Sequence, residues 1–273
     1  MIRDNKTSCR LCPRSCGVDR QRGERGFCQA GSHITVAEIS VSAEAEERIL
    51  RGNGSVAQVF FSRCPLRCVF CSNSGISIQG YGGAVSLPGF VEELRSLRDR
   101  GVGTVFFVTP DPYLPWIAEA LTQWRKEAPG IGVFCVTSGF LDPDLVGEMM
   151  RIFDTLIVSL KPVSAGDSEV LVGRSDYWSC ARRVLERAAS ETNGGRYPPC
   201  IVRIVLMPGR LEIVKDQLRS LASVVPVQTP VNLLDFRPSY LWKEYGEWRR
   251  TRPEERSLAL EYAHELGFDS IVD

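Results

Sequence analysis

Residues 55–73 read SVAQVFFSRCPLRCVFCSN. The first half is a β-branched and aromatic run of strand length. The second half carries Cys64, Cys68 and Cys71 at C-x3-C-x2-C spacing. Three thiolates so close together, on a loop that follows a strand, can face one metal centre. The count of three matters. A structural zinc or a complete cubane takes four protein ligands, so three leave one metal position open to a substrate or cofactor. Closing the set as a zinc knuckle would need a distant Cys or His, and the chain holds two histidines, His33 and His264.

The same grammar repeats downstream. Strand-like runs recur at 104–110 (TVFFVTP), 131–138 (IGVFCVTS), 155–161 (TLIVSLK), 200–207 (CIVRIVLM) and 231–238 (VNLLDFRP). Helical periodicity fills the intervals at 90–100, 115–128, 143–153, 176–190 and 211–225, and again at 253–267. Pro253 and Gly267 punctuate that last helix. Six strands alternating with helices predict parallel β/α units with right-handed connections. Six units fall short of an eight-stranded barrel, so the expected fold class is α/β, a partial (β/α)6 TIM-type barrel with an N-terminal cysteine-rich metal-binding segment. Ligands of such folds gather at the C-terminal ends of the strands.

Composition is that of an ordinary globular protein and excludes other classes. The 273 residues are 44% hydrophobic and 24% charged, and 33 basic residues balance 33 acidic ones. No global field draws nucleic acid or an anionic membrane, and no apolar run approaches the ~20 residues of a membrane span. The start, MIRDNKTSCR, lacks the apolar core of a signal peptide, so the expected location is cytoplasmic. Ten cysteines in such a chain read as metal ligands rather than disulfides. Cys135, Cys180 and Cys200 stand alone and read as buried small hydrophobes.

Residues 1–32 form a distinct segment. Seven basic residues (Arg3, Lys6, Arg10, Arg14, Arg20, Arg22, Arg25) outnumber three acidic ones (Asp4, Asp19, Glu24). Apolar periodicity is weak, so the segment has no core of its own. Cys9, Cys12, Cys16 and Cys28, at C-x2-C-x3-C-x11-C, supply four thiolates for a closed metal site whose binding energy becomes folding energy. The spacing suits a [4Fe–4S] cluster, a zinc or a single iron alike. The expected organisation is then a cysteine-rich segment (1–32), a connecting segment (33–54), the barrel core (55–238) and a C-terminal aromatic and helical extension (239–273).

The three-cysteine motif after the first strand of a β/α chain resembles the radical S-adenosylmethionine (SAM) superfamily. CRLCPRSCGVDRQRGERGFC (9–28), RGNGSVAQVFFSRCPLRCVFCSN (51–73), VTPDPYLP (108–115), IVRIVLMPG (201–209) and FRPSYLWKEYGEWRRTRPEERSLALEYAHELG (236–267) resemble the pyruvate formate-lyase activating enzyme-like branch, in particular its PflX-like group. The resemblance implies a [4Fe–4S] cluster on Cys64, Cys68 and Cys71 whose open iron chelates SAM. It also implies one-electron cleavage of SAM to methionine and a 5′-deoxyadenosyl radical, and an electron donor such as flavodoxin or ferredoxin. Phe70 would lie beside the adenine. Thr109-Pro110-Asp111 occupies the place of the family's Gly-Gly-Glu type turn, which holds the SAM amino group. Ser138, in Thr137-Ser138-Gly139, ends the third strand as the family's Thr-Asn-Gly does. Ser159-Leu160-Lys161 stands where activases carry Asp-x-Lys, with Ser159 for the ribose and Lys161 for a carboxylate. Arg203 would meet the SAM carboxylate through its planar fork. An auxiliary cluster at the N-terminus is a habit of the same family.

On the sixth strand, Asp235 and Arg237, and then Tyr240, are placed to face the site, with Arg237 a catalytic candidate. Leu241, Tyr245 and Trp248 have the spacing of an apolar helix face packed as a lid, with Arg249 and Arg250 following. The leading expectation is hydrogen abstraction from a small molecule or peptide. The rivals are a glycyl-radical activase acting on a partner protein, and a zinc-ribbon interaction module built on Cys9 to Cys28.

Overall fold

The computed structural model describes residues 1–42, 55–191 and 197–272. In chain order the regular elements are β1 (Ile34–Ser42), β2 (Ser55–Phe61), β3 (Gly83–Val85), α1 (Leu87–Asp99), β4 (Val102–Val108), α2 (Leu114–Glu127), β5 (Gly132–Thr137), α3 (Val146–Met149), β6 (Thr155–Leu160), α4 (Ala165–Val172), α5 (Tyr177–Ser190), β7 (Cys200–Leu206), α6 (Leu211–Ala222), β8 (Val231–Asp235), α7 (Pro253–Glu265) and β9 (Ile271–Val272). The described strands form one sheet in the order β3-β1-β2-β4-β5-β6-β7-β8-β9. From β2 through β8 every neighbouring pair is parallel. Their C-terminal ends therefore lie at one rim of an open, partial barrel.

The strands read as near-continuous apolar runs because both faces are covered. All six residues of β5 are buried. Phe107 points outward into a cluster with Phe61, Phe90 and Phe153, whose ring centroids lie 5.6–6.1 Å apart in the contacting pairs. Its neighbour Phe106 points inward and meets Phe134 edge-on at 5.0 Å. Val56, Val136, Ile157 and Ile201 complete that inner cluster. On α5, Tyr177, Cys180, Ala181, Val184, Leu185 and Ala188 are buried at helical spacing, so one stripe faces the sheet. Ser86 and Ser164 cap α1 and α4 by accepting the N–H of Gly89 and Asp167.

Four features differ from the sequence reading. Residues 34–42, expected to connect, form β1, antiparallel to β2 and to β3. The apolar alternation Ile34, Val36, then Ile39, Val41 slips by one residue at an irregularity between Val36 and Glu38, which masks the period of two. The rest of the expected connection, 43–54, lies outside the described residues. The interval 143–153 holds a 3-10 turn (Pro143–Leu145) and only one turn of α-helix, α3. The short α4 and β9 had no sequence signal. The N-terminal segment does not stand apart, since Ile2, Leu11 and Ala30 are buried in the main core. It is pinned by Lys6 to Glu119 at 2.6 Å, by the Asp142 N–H to the Leu11 carbonyl at 3.0 Å and by Arg14 Nε to the Pro65 carbonyl at 2.7 Å.

The lid helix is also absent. Tyr240–Glu244 is a 3-10 turn, and Leu241, Tyr245 and Trp248 share no buried face. Trp242 is the anchor instead. It is fully buried, packs on Phe236 at 5.2 Å and donates its indole N–H to the Glu247 carbonyl at 3.1 Å. Trp248 is 47% exposed. Trp242→Ala should cost ~3–5 kcal/mol and Trp248→Ala no more than ~0.5 kcal/mol. Chemical denaturation of the two variants checks this ordering, and equal losses would contradict the assignment of the anchor.

Candidate active site and a second cysteine cavity

The loop after β2 turns back over the strand ends. Arg63 takes a positive φ of 74° and donates its backbone N–H to the Ile76 carbonyl at 3.0 Å, which sets the entry of the loop. Cys64, Cys68 and Cys71 then line one cleft at the C-terminal rim, together with Phe70, Thr109, Ser138, Ser159, Lys161, Arg203 and Arg237. The cleft has a volume of about 290 Å³ and opens to solvent. That is near the lower end of the ~300–1,000 Å³ of ordinary ligand pockets. The Leu66 N–H reaches Cys64 Sγ at 3.5 Å, and Ser77 Oγ lies 3.3 Å from Cys71 Sγ. Both are polar partners for the sulfurs of a cluster.

Cations collect on one wall. Lys161 Nζ sits 5.7 Å from the Phe70 ring centroid. Arg203 is nearly buried, and its Nε donates to Asn232 Oδ1 at 3.1 Å. Among the described residues neither Lys161 nor Arg237 forms an ion pair with a carboxylate. Asp235 also lines the cleft but is paired with Arg256 at 3.3 Å. Tyr240 lies outside the cleft lining, and its hydroxyl accepts from Gln79 Nε2 at 2.8 Å.

Two residues expected to touch SAM are not on the cleft wall. The Pro110 carbonyl accepts the Tyr113 N–H at 2.8 Å, the start of a 3-10 turn. Asp111 is 2% exposed and turns toward β5, where Oδ2 accepts the Ser138 N–H at 3.1 Å and hydroxyl at 2.8 Å. Its Oδ1 is buried without a partner. Burial raises the Asp111 carboxyl, against the Ser138 bonds. Asp111 thus positions Ser138 instead of reaching the cleft. Thr109 does line the cleft, and it keeps a φ of 58° although it is β-branched. That left-handed backbone suits glycine and costs an L-residue ~1–2 kcal/mol, so the turn keeps the shape of a Gly-containing one without the glycine.

Tyr177 is a site residue that the sequence reading missed. Its hydroxyl accepts the Lys161 N–H at 3.1 Å and lies 3.0 Å from the Ser138 carbonyl, to which it donates. One phenol fixes the ends of β5 and β6. Nothing in the sequence pairs residues 177 and 138.

A second cavity lies behind the Pro110–Pro112 turn. Cys9, Cys12, Cys16 and Cys28 all line it, with Asp111, Pro112 and Arg20, and its volume is about 20 Å³. Gly26 is needed there, because a Cβ would come within 2.8 Å of Cys16 Cβ and Sγ. A donor set of four thiols in one cavity fits a metal centre. No three His, Cys, Asp or Glu side chains among the described residues are grouped closely enough for one ion.

Burial pushes the Cys64 thiol well up, helped by the nearby Cys68 and Asp111. Burial likewise takes Cys68 to about 12 despite Lys161, and Cys12 to about 12. These thiols are neutral at pH 7 in the metal-free fold, so loading iron releases protons. Iron content after a fixed reconstitution time should therefore rise between pH ~7 and ~9, and a flat profile would contradict the buried-thiol picture. By linkage, the raised values stabilise the metal-free fold below the ordinary thiol range, a contribution lost as pH rises toward about 12.

Comparison with known proteins places this geometry. The family model of the radical SAM superfamily matches residues 59–216, more than half of the chain. An uncharacterized protein of Methanocaldococcus jannaschii is 26% identical over 280 residues, covering 97% of this chain and 77% of that protein. Among solved structures, QueE from Escherichia coli superposes with a TM-score of 0.50 at 12% identity, over 90% of this chain and 96% of QueE. SuiB from Streptococcus suis, solved with S-adenosylmethionine bound, gives 0.49 at 14% identity, over 80% of this chain and 45% of SuiB. The likeness to QueE is one of fold. No helix among the described residues is long and apolar enough to cross a membrane. The chain belongs to the radical SAM superfamily.

Proposed function

We propose that this enzyme abstracts a hydrogen atom from a small-molecule or peptide substrate bound in the cleft of Cys64, Cys68 and Cys71. The observation that carries the reading is the gathering, on one rim, of three thiols, an aromatic face, Arg203, and two cations, Lys161 and Arg237, that pair with no carboxylate among the described residues. The family's [4Fe–4S] cluster, when bound, supplies the electron that cleaves SAM reductively. The three cysteines hold it, and their count leaves one iron for SAM. Phe70 offers its ring to the adenine. Ser138 and Ser159 offer hydroxyls or carbonyls to the ribose and amino group, beside the Thr109 carbonyl. Arg203, held by Asn232, receives the SAM carboxylate. Lys161 and Arg237 remain for an anionic group of the substrate. The inner cluster of Val56, Phe106 and Phe134 closes the floor of the barrel against water.

The four N-terminal cysteines hold a second cluster in this reading. Four thiols lining one cavity support a metal centre there, and the family's habit of carrying auxiliary clusters favours iron–sulfur over zinc. A flavodoxin- or ferredoxin-type protein supplies the electrons.

Anaerobically reduced protein should convert SAM slowly to 5′-deoxyadenosine and methionine. Replacing Cys64, Cys68 and Cys71 together by Ala should abolish the conversion, whereas the Cys12→Ala, Cys16→Ala variant should retain it while losing one metal centre. Undiminished cleavage in the triple variant sinks the reading. Phe70→Ala and Arg203→Ala should each bind SAM more weakly, the latter by ~1.5–3 kcal/mol, with parental iron content. Equilibrium binding of SAM to the reconstituted variants measures this.

A further inference from the structure

Arg20 is 2% exposed, yet among the described residues it has no carboxylate partner. Its Nη1 donates to the Pro112 carbonyl. Its Nη2 lies 3.0 Å from Cys9 Sγ and 3.8 Å from Cys28 Sγ. Its Nε is buried without an acceptor. A guanidinium does not lose its proton, and a buried cation is tolerated only where nearby negative charge offsets its desolvation. The atoms placed to provide that charge are the sulfurs. The arrangement makes sense when Cys9 and Cys28 are thiolates on a metal centre of net negative charge.

We propose that Arg20 is the positioning and redox-tuning residue of the N-terminal centre. This rests on the reading of that centre as an iron–sulfur cluster. Hydrogen bonds to cluster sulfurs and nearby positive charge favour the reduced, more negative state and so raise the reduction potential. The fork also spans two structures. One arm touches the sulfurs, and the other holds the turn at Pro112, whose preceding residue Asp111 fixes Ser138 on the cleft wall. Charge added at the cysteines is thereby placed one turn of chain from the SAM cleft.

The test uses the full chain, reconstituted anaerobically, with Cys64, Cys68 and Cys71 changed to Ala so that the N-terminal centre alone is read. Redox titration followed by electron paramagnetic resonance should give a lower midpoint potential for Arg20→Gln than for its parent. We expect at least a tenfold change in the reduction equilibrium, about 59 mV for one electron. Arg20→Lys, which keeps the charge without the fork, should fall between. Should Arg20→Gln fail to assemble its centre, pulsed resonance on parent protein labelled with ¹⁵N-arginine decides, because a bonded guanidinium couples to the reduced cluster. Equal potentials in all three proteins, or no ¹⁵N coupling in the parent, overturns the role of Arg20 while leaving the cluster in place. Zinc or no metal at these cysteines, by metal analysis and Mössbauer spectroscopy of the parent, overturns the cluster reading and this role together.

Discussion

A buried carboxylate joins the parts of this enzyme. Asp111, just past β4, accepts both the N–H and the hydroxyl of Ser138, at the end of β5. Two strand ends that would otherwise splay are held in one register across the rim. The same residue lies on the wall of the N-terminal cysteine cavity and close enough to Cys64 to raise its thiol. Tyr177 repeats the device one strand further on, tying the Ser138 carbonyl to the Lys161 N–H. A cleft at a barrel rim is only as rigid as the connections between its strand ends. Here those connections are buried hydrogen bonds, which are strong in a low-dielectric setting and costly to leave half made.

The barrel was legible because parallel strands with two covered faces announce themselves as apolar runs, and the helices between them as stripes. The six strands expected from 55 to 238 match β2 and β4 through β8 to within a few residues at each end. Features that depend on distant pairing were not legible. β1 hid its alternation behind an irregularity next to Val36. The spacing of Leu241, Tyr245 and Trp248 imitated a helix that Gly246 and the buried Trp242 do not permit.

The candidate site divides in the same way. Cysteine spacing is local information, and each of the two sets it grouped lines a single cavity. The orientation of Asp111 was not local, because Ser138 lies 27 residues away in sequence. Arg20 and Tyr177 were invisible for the same reason. A residue that acts by reaching across the fold leaves no period and no motif. Thr109 is the instructive intermediate. Its neighbourhood matched a glycine turn in place but not in composition, and the backbone kept the glycine-like φ all the same. The turn is therefore set by its hydrogen bond from the Thr109 N–H to the Val136 carbonyl at 2.8 Å, and by the strands on either side, more than by the residue's own preference.

Among the described residues the sheet does not close on itself, and its two margins are unlike its interior. On one side stands β3, three residues long, and on the other β9, two residues long. An unclosed sheet presents unpaired amide and carbonyl groups, and long flat margins of that kind recruit strands from neighbouring molecules. Here β3 covers β1 at Ile34, Thr35 and Val36 alone, so residues 37–41 of β1 have no ladder partner on their outer side among the described residues. That stretch is blunted by charge instead: Glu38 stands exposed on it, where an added strand would have to bury a carboxylate beside its own backbone.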